Sequence, residues 1–379
     1  MRVVVFNVGS TTLKYARIDT QAGLTECQGT IDRIGQAGGE AADHDRAAEL
    51  AWEAVYNNSV EAIGHRLVQG GAVFQQPTRV DQAALEQLRR LDSLAPLHNP
   101  PARRVLETLH RTVHSIPQAM IFDTAYFANL PSAAAQYAIP ANLAAKHQIK
   151  RYGAHGTSHE YVTRLACQFL GWSPESDSTS PPRIISLHLG GGASMTASLG
   201  LRAMETSMGF TPLEGLVMAT RCGDLDPSIP GVLMERENLS PTEIDSLLNR
   251  ESGLKGLCGE TDMRAILQRV DAGDSQASTA LDIYIHRIRK YLGAYMIVLG
   301  GVDAIVFTAG VGEHSPAVRR KIVERLDPFG IELDEQKNQL GLAGNNVADI
   351  ATSNSRCRLL IVATAEEQAI AAQTAALLA

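Results

Sequence analysis

Twice in this chain a β-rich apolar run empties into a short turn of glycine and hydroxyl residues and then resumes. The first copy is residues 3–6, then Asn7-Val8-Gly9-Ser10-Thr11-Thr12, then 13–18. The second is residues 183–189, then Gly190-Gly191-Gly192-Ala193-Ser194, then 195–199, roughly 180 residues further on. Each reads as a hairpin. One device met twice at that separation predicts a duplicated α/β fold, although the copies share little literal sequence. At 379 residues the chain is long enough for two cores.

The remaining pattern fits that division. A third strand is expected near 27–34, and helical patterning from about 82 to 113, interrupted by Pro96 and by Pro100-Pro101. Residues 118–122 form a short apolar strand ending at Asp123, and 171–182 is dense in turn formers and reads as an exposed loop. Ser240-Pro241-Thr242-Glu243 carries the capping serine, first-position proline and glutamate of a helix start. Leu281, Ile285, Ile288 and Leu292 share one face of a long helix closed by Gly300-Gly301. Strands at 303–308 and 359–362 and a closing alanine-rich helix at 365–378 complete the order.

The net charge of −7 offers no global field for nucleic acid or an anionic membrane, so an anionic substrate must meet local basic groups. Five scattered cysteines with no CxxC pair argue against a disulfide framework or thiolate zinc site and suit a reducing compartment. Met1 leads directly into a strand and no apolar run reaches about 18 residues. The expectation is a cytoplasmic protein with neither membrane nor nucleic-acid partners.

Chemistry concentrates in the turns. Gly9 with the hydroxyls of Ser10, Thr11 and Thr12 forms a nest suited to phosphate oxygens, as does the second turn; a plain hairpin has the same look. The GxxxxGK[ST] spacing of a P-loop is absent. A third glycine loop, 308–314, lacks the last glycine of GxGxxG but would let a nucleobase or phosphate approach the backbone. Arg66 and Arg221 lie among glycines and turn residues, placed to clamp carboxylate or phosphate bidentately, although structural ion pairs would also hold them there. His155 and His159 are spaced as zinc ligands, but the glutamate of HExxH is missing and Gly156 disfavours a helix. A histidine donating to a phosphoryl oxygen fits better. Asp123 at a strand end and Glu366 at a helix start are carboxylates for magnesium or substrate. Together these groups suggest phosphoryl transfer.

At this point the chain resembles the acetate kinase family, within the superfamily of acetate and sugar kinases, Hsp70 and actin. The likeness rests on NVGSTTLK at 7–14, GHR at 64–66, LAPLHNPP at 94–101, IFDTA at 121–125 and RYGxHGTSH at 151–159. It continues with TSMGFTPLEGL at 206–216, TRxGDxDP at 220–227 and VDAIVFTAGVGE at 302–313, and so covers nearly the whole length.

The resemblance implies two ribonuclease-H-like domains, 1–150 with 366–379 and 151–365, with ATP in an interdomain cleft. It also implies a homodimer and Mg²⁺- or Mn²⁺-dependent exchange between ATP with acetate and ADP with acetyl phosphate. Carried over, Asn7 and Glu366, with Glu367 as rival, attend the metal. Arg66 and Arg221 hold the carboxylate and migrating phosphoryl, Asp123 positions the reaction centre, and His155 and His98 steady phosphoryl oxygens. Lys14, His188, Gly190, Gly191 and Gly192 fall to the nucleotide, with Asp262, Met263, Arg264, Gly310, Val311, Gly312, Glu313 and His314.

Several positions depart from the family pattern. Gln69 stands for the usual histidine, and Gly191, His314 and Ala365 for asparagines. Ala154 replaces a phenylalanine in the wall of a small acyl pocket otherwise formed by Val68, Leu97 and Pro212, which predicts tolerance for propionate or a longer acid. A degenerate nucleotide-binding relative without turnover would not need Arg66, Asp123, His155, Arg221 and Glu366 together. A sugar kinase of the superfamily would need a base for a hydroxyl.

Overall fold

The computed structural model describes residues 1–92, 95, 99–173 and 180–379. The chain divides into two compact units. The first comprises residues 1–128, 154–161 and 365–379, the second 129–153 and 162–364.

The first unit is built on six strands: β1 (Arg2–Val8), β2 (Leu13–Asp19), β3 (Leu24–Ile31), β4 (Ala62–Leu67), β5 (Thr78–Arg79) and β6 (Gln118–Phe122), ordered β3-β2-β1-β4-β6-β5. β1 to β3 form an antiparallel meander, β4 and β6 run parallel to β1, and β5 turns back along β6. The run RVVVFNV is buried on both faces because helices cover both. Val4, Phe6 and Val8 point into a core with Leu106 and Leu109 of the helix Asn99–Thr112 and Ala47 and Ala51 of His44–Val55. Val3 and Val5 meet Ile370 and Ala371 of the closing helix Glu366–Leu378. Each valine, leucine, isoleucine or phenylalanine among them contributes about 1.5–3 kcal/mol on burial.

The second unit carries β7 (Arg183–Leu189), β8 (Ala193–Leu199), β9 (Arg202–Thr206), β10 (Ala304–Thr308), β11 (Val347–Asp349) and β12 (Arg358–Val362) in the order β11-β12-β10-β7-β8-β9. Numbered within its own unit and read from the β9 edge, this order and every strand direction repeat the first sheet. Even the irregularity repeats: the register slips between Arg17 and Ile18 in β2 and between Ala197 and Ser198 in β8, the same place along each strand. The duplicated α/β fold expected from the paired turns is present.

Local signals also hold. Ser240 and Glu243 form a reciprocal capping box on Pro241–Arg250, and Leu281, Ile285, Ile288 and Leu292 are buried along Ser275–Leu299, which ends at Gly300 with φ 69°. Four expectations shift. The third strand starts earlier, at Leu24, and Pro100-Pro101 do not interrupt a helix but sit in the first turn of Asn99–Thr112, where no N–H is missed. Gly156 opens the helix Gly156–Leu170 rather than preventing one, and the third glycine loop is the short helix Ala309–His314. The turn-rich loop lies largely outside the described residues. Among the described residues no helix is long and apolar enough to cross a membrane.

Two consequences are measurable. A Cβ on Gly64 would fall well inside contact with Thr374 Oγ1 and 3.1 Å from Ile370 Cγ2, both on the closing helix. Gly64→Ala should therefore lose about 1–3 kcal/mol in urea unfolding. Adding Thr374→Ala, which also removes a buried hydroxyl without a partner, should recover part of that loss; strict additivity would refute the clash. Burial pushes the imidazole of fully buried His65 down to about 4, against a hydrogen bond with Gln118 at 2.9 Å. Between pH 6.5 and 4 the unfolded chain then binds the extra proton, so stability falls as pH drops through that window, by about 3 kcal/mol in all. His65→Gln should flatten that slope in pH-dependent denaturation.

Candidate active site

β1 and β4 lie parallel with Asn7 opposite Arg66, and β4 and β6 with Leu67 opposite Phe122, the residue before Asp123. These side chains therefore gather at the carboxyl ends of adjacent parallel strands, where open α/β sheets place their ligands. The Arg66 fork is taken up bidentately by Asp123, Nε to Oδ1 at 3.2 Å and Nη2 to Oδ2 at 2.7 Å. Its remaining Nη1 donates to Asn7 Oδ1 at 2.8 Å and lies 3.6 Å from Glu366 Oε2. The ion-pair alternative raised for Arg66 is thus realised, with a carboxylate 1% exposed. Burial opposes the guanidinium charge, but Asp123 and then Glu366 outweigh it, and the net shift is upward.

The closing helix begins at Glu366 and delivers two carboxylates to the same place. Asn7 Nδ2 donates to Glu366 Oε2 at 3.1 Å and to Glu367 Oε1 at 3.2 Å. The amide is thereby oriented from both sides: its oxygen faces a cation, its nitrogen two anions. Thr157, which sequence reasoning passed over inside GTSH, donates from Oγ1 to Asp123 Oδ1 at 3.0 Å. Its loop is moulded on Asp123, since a Cβ on Gly156 would collide with the Asp123 carbonyl. His155 precedes that glycine in the left-handed region, at φ 57°, unusual for a residue with a Cβ. Ala154 is buried beside it, and Val68 is half-buried after β4. Leu97 and His98 lie outside the described residues.

In the opening turn Gly9 N donates to Thr12 O at 2.8 Å, so that N–H closes the turn and is not offered outward. Gly9 is required by close approach, a Cβ there falling 2.6 Å from Thr12 Oγ1. Lys14 is exposed on β2, opposite Asn7 in the register.

In the second unit a cavity of about 720 Å³ is lined by Gly190 and Gly191 of the β7–β8 turn, Thr261 to Arg264 with Leu267, and Gly310, Val311 and His314 to Ala317. Gly191 and Gly310 would meet nothing within 4 Å if given a Cβ, so their flanks are open. Asp262 caps the helix Met263–Asp271 and pairs with Arg264 at 2.6 Å, the guanidinium holding its carboxyl down at about 2. Asp262, Met263, Arg264, Gly190, Gly191, Gly310, Val311 and His314 are thus brought together. Gly312 and Glu313, expected with them, do not line the cavity. Gly312 packs on Phe307 and Glu313 accepts from Thr364 N at 2.9 Å and Oγ1 at 2.6 Å. His188 and Gly192 also stay outside its lining, His188 being buried on β7. Ser315-Pro316-Ala317 was missed, although a serine followed by proline is a helix-start signal, and Ser315 does cap Pro316–Val323.

Arg221 contrasts with Arg66. Its Nη1 donates to the Pro212 carbonyl at 3.0 Å, and among the described residues it has no carboxylate within 4.0 Å. Burial lowers its pKa, with no carboxylate to counter that. Pro212, expected as apolar wall, is tied to Arg221 through its carbonyl. The Arg221 loop is tied to the glycine turn by Ala219 N donating to Gly191 O at 3.0 Å. A half-buried guanidinium that, among the described residues, faces dipoles and no carboxylate suits an anionic partner.

The profile of the acetokinase family matches residues 2–372. The chain is 44% identical over 400 residues to an acetate kinase of Streptomyces coelicolor, covering 99% of this chain and 97% of that protein. Among solved structures it superposes on Porphyromonas gingivalis acetate kinase with a TM-score of 0.91 at 34% identity, covering 100% of both chains. On a propionate kinase from Francisella tularensis the TM-score is 0.89 at 35% identity, covering 99% of both. With its duplicated sheets and this full-length match, the chain belongs to the acetokinase family, kinases whose phosphoryl acceptor is a carboxylate.

Proposed function

We propose that the chain transfers the γ-phosphoryl of ATP directly, in line and reversibly to acetate, giving acetyl phosphate and ADP. The observation that carries this reading is the convergence of Asn7, Arg66, Asp123, Glu366 and Glu367 at the ends of parallel strands. One guanidinium there is outnumbered by three carboxylates, an excess of hard oxygen ligands that fits a small divalent cation held by one or two protein carboxylates and by phosphate. Glu366 and Glu367 would hold Mg²⁺, or Mn²⁺, with Asn7 setting their spacing. When bound, that ion supplies charge neutralisation on the phosphate oxygens.

A carboxylate acceptor is already ionised at pH 7, so the protein needs no general base. What remains is alignment and neutralisation of charge in a loose transition state. Arg66 is kept charged and fixed by Asp123 and Asn7, which leaves only the remaining N–H groups of Nη1 and Nη2 as donors to a ligand. Arg221, half-buried and without a carboxylate among the described residues, supplies a second positive charge, and His155 a donor to phosphoryl oxygen. The cavity between Asp262–Arg264 and Gly310–Val311 is wide enough for a nucleoside. Kinship supports a homodimer and a cytoplasmic location.

Propionate is a second acceptor to test, because Ala154 offers a methyl where the family carries a phenyl and a propionate kinase is among the matching structures.

Two outcomes are expected in an acyl-hydroxamate assay. With ATP, Mg²⁺ and acetate, Arg66→Ala and Arg221→Ala should each lose about 10²–10³ in kcat, roughly 3 kcal/mol, while pyrophosphate in place of ATP gives no product. Retention of activity within tenfold would defeat the role of the arginines. Across acetate, propionate and butyrate, kcat/KM for propionate should stay within about tenfold of acetate; a steep decline beyond acetate removes the enlarged pocket.

A further inference from the structure

One buried cation is left unused by the reaction. Arg319, 1% exposed on the helix Pro316–Val323, has no carboxylate within 4.0 Å among the described residues. All four of its bonds go to amide and carbonyl oxygens. Nη1 donates to Gly312 O and Glu313 O, both at 2.8 Å, Nε to Asn338 Oδ1 at 2.8 Å and Nη2 to Asn338 O at 2.7 Å. Burial pushes this guanidinium down to about 10. A charge buried without a counter-charge is expensive, and the negative ends of three backbone dipoles and of one side-chain amide offset it here. Stability alone would be served better by an apolar side chain of that size.

What the fork grips is the carboxyl end of Ala309–His314, the short helix that supplies Gly310, Val311 and His314 to the cavity. Asn338, fully buried, carries the grip onward by donating from Nδ2 to Pro316 O at 3.1 Å, and Ser315 to Ala317 are the next lining residues. The other end of the helix is also held. Ala309 sits at φ 63°, a left-handed conformation that a residue with a Cβ adopts under constraint. Its N–H donates to Thr364 Oγ1 at 2.8 Å, and Thr364 is bonded to Glu313. One whole wall of the cavity is thus stretched between two clamps.

We infer that Arg319, seated on Asn338, is a positioning residue that fixes this wall and thereby sets the affinity of the chain for its nucleotide. The inference rests on the nucleotide reading of the cavity proposed above. Arg319 touches no lining surface itself and acts through the Gly312 and Glu313 carbonyls. Lysine cannot replace it, because one ammonium cannot reach those carbonyls and both Asn338 oxygens at once.

The test is ADP binding by calorimetry with Mg²⁺ present, together with steady-state kinetics, on the full chain and on Arg319→Lys, Arg319→Met and Asn338→Ala. The Arg319 variants should weaken ADP and raise the KM for ATP in parallel by roughly tenfold or more. KM for the carboxylate and kcat at saturating ATP should stay within about threefold. Asn338→Ala keeps the guanidinium and should give the same signature at about threefold, which preserves the test if the Arg319 variants do not fold. Unchanged ADP affinity in a folded Arg319→Lys or in Asn338→Ala overturns the inference. So does an equal loss in kcat and in both KM values, the mark of general disruption. Absence of ADP binding by the unaltered chain would overturn the nucleotide reading itself, and this inference with it.

Discussion

The first unit is organised around the pair Arg66–Asp123. A guanidinium and a carboxylate this buried gain little net stability from each other, because desolvation consumes most of the attraction. Removing either, however, strands the other as an uncompensated charge, at about 3–5 kcal/mol. Such a pair fixes position more than it adds strength. With two of its nitrogens committed to Asp123, Arg66 can point only one way, and Asn7, Glu366, Thr157 and the Gly156 loop are arranged around the result.

The two sheets share order, direction and the position of a bulge, yet their strand ends do different work. At the first, side chains dominate: an amide, a guanidinium and three carboxylates joined in one chain of contacts through Arg66 and Asn7. At the second, backbone dominates, with Gly191 and Gly310 leaving open flanks beside a large cavity. The same architecture thus offers charge in one copy and shape in the other. The fold supplies the ends of parallel strands, and local residues decide what they present.

Three arginines illustrate how surroundings assign a role to one residue type. Arg66 faces carboxylates and is held fully charged; Arg221 faces a carbonyl and, among the described residues, lacks a counter-ion; Arg319 faces four oxygens of neutral groups. The first anchors its neighbours, the second is placed to meet an anion in the proposed reaction, and the third is the brace inferred above for the cavity wall. Their sequence contexts do not separate these cases. Glycines flank the first two, and an ordinary helical pattern surrounds the third.

Much was legible without coordinates because it depends on local chemistry. The repeated strand–turn–strand device, the Ser240–Glu243 cap and the Leu281–Leu292 stripe are all short-range patterns, and each appears where expected. Residues on either side of a single turn, such as Asp262 to Arg264, also stayed together in the cavity. What only the tertiary structure decided is which distant groups meet. That Asn7 reaches Glu367 and that Arg66 is consumed by Asp123 depend on strand register and on where a closing helix lands. Even Gly156, read locally as a helix breaker, opens a helix because a close approach to Asp123 leaves no room for a Cβ. Local propensities act over a few residues, whereas these contacts join positions brought together only by burying two faces of one sheet.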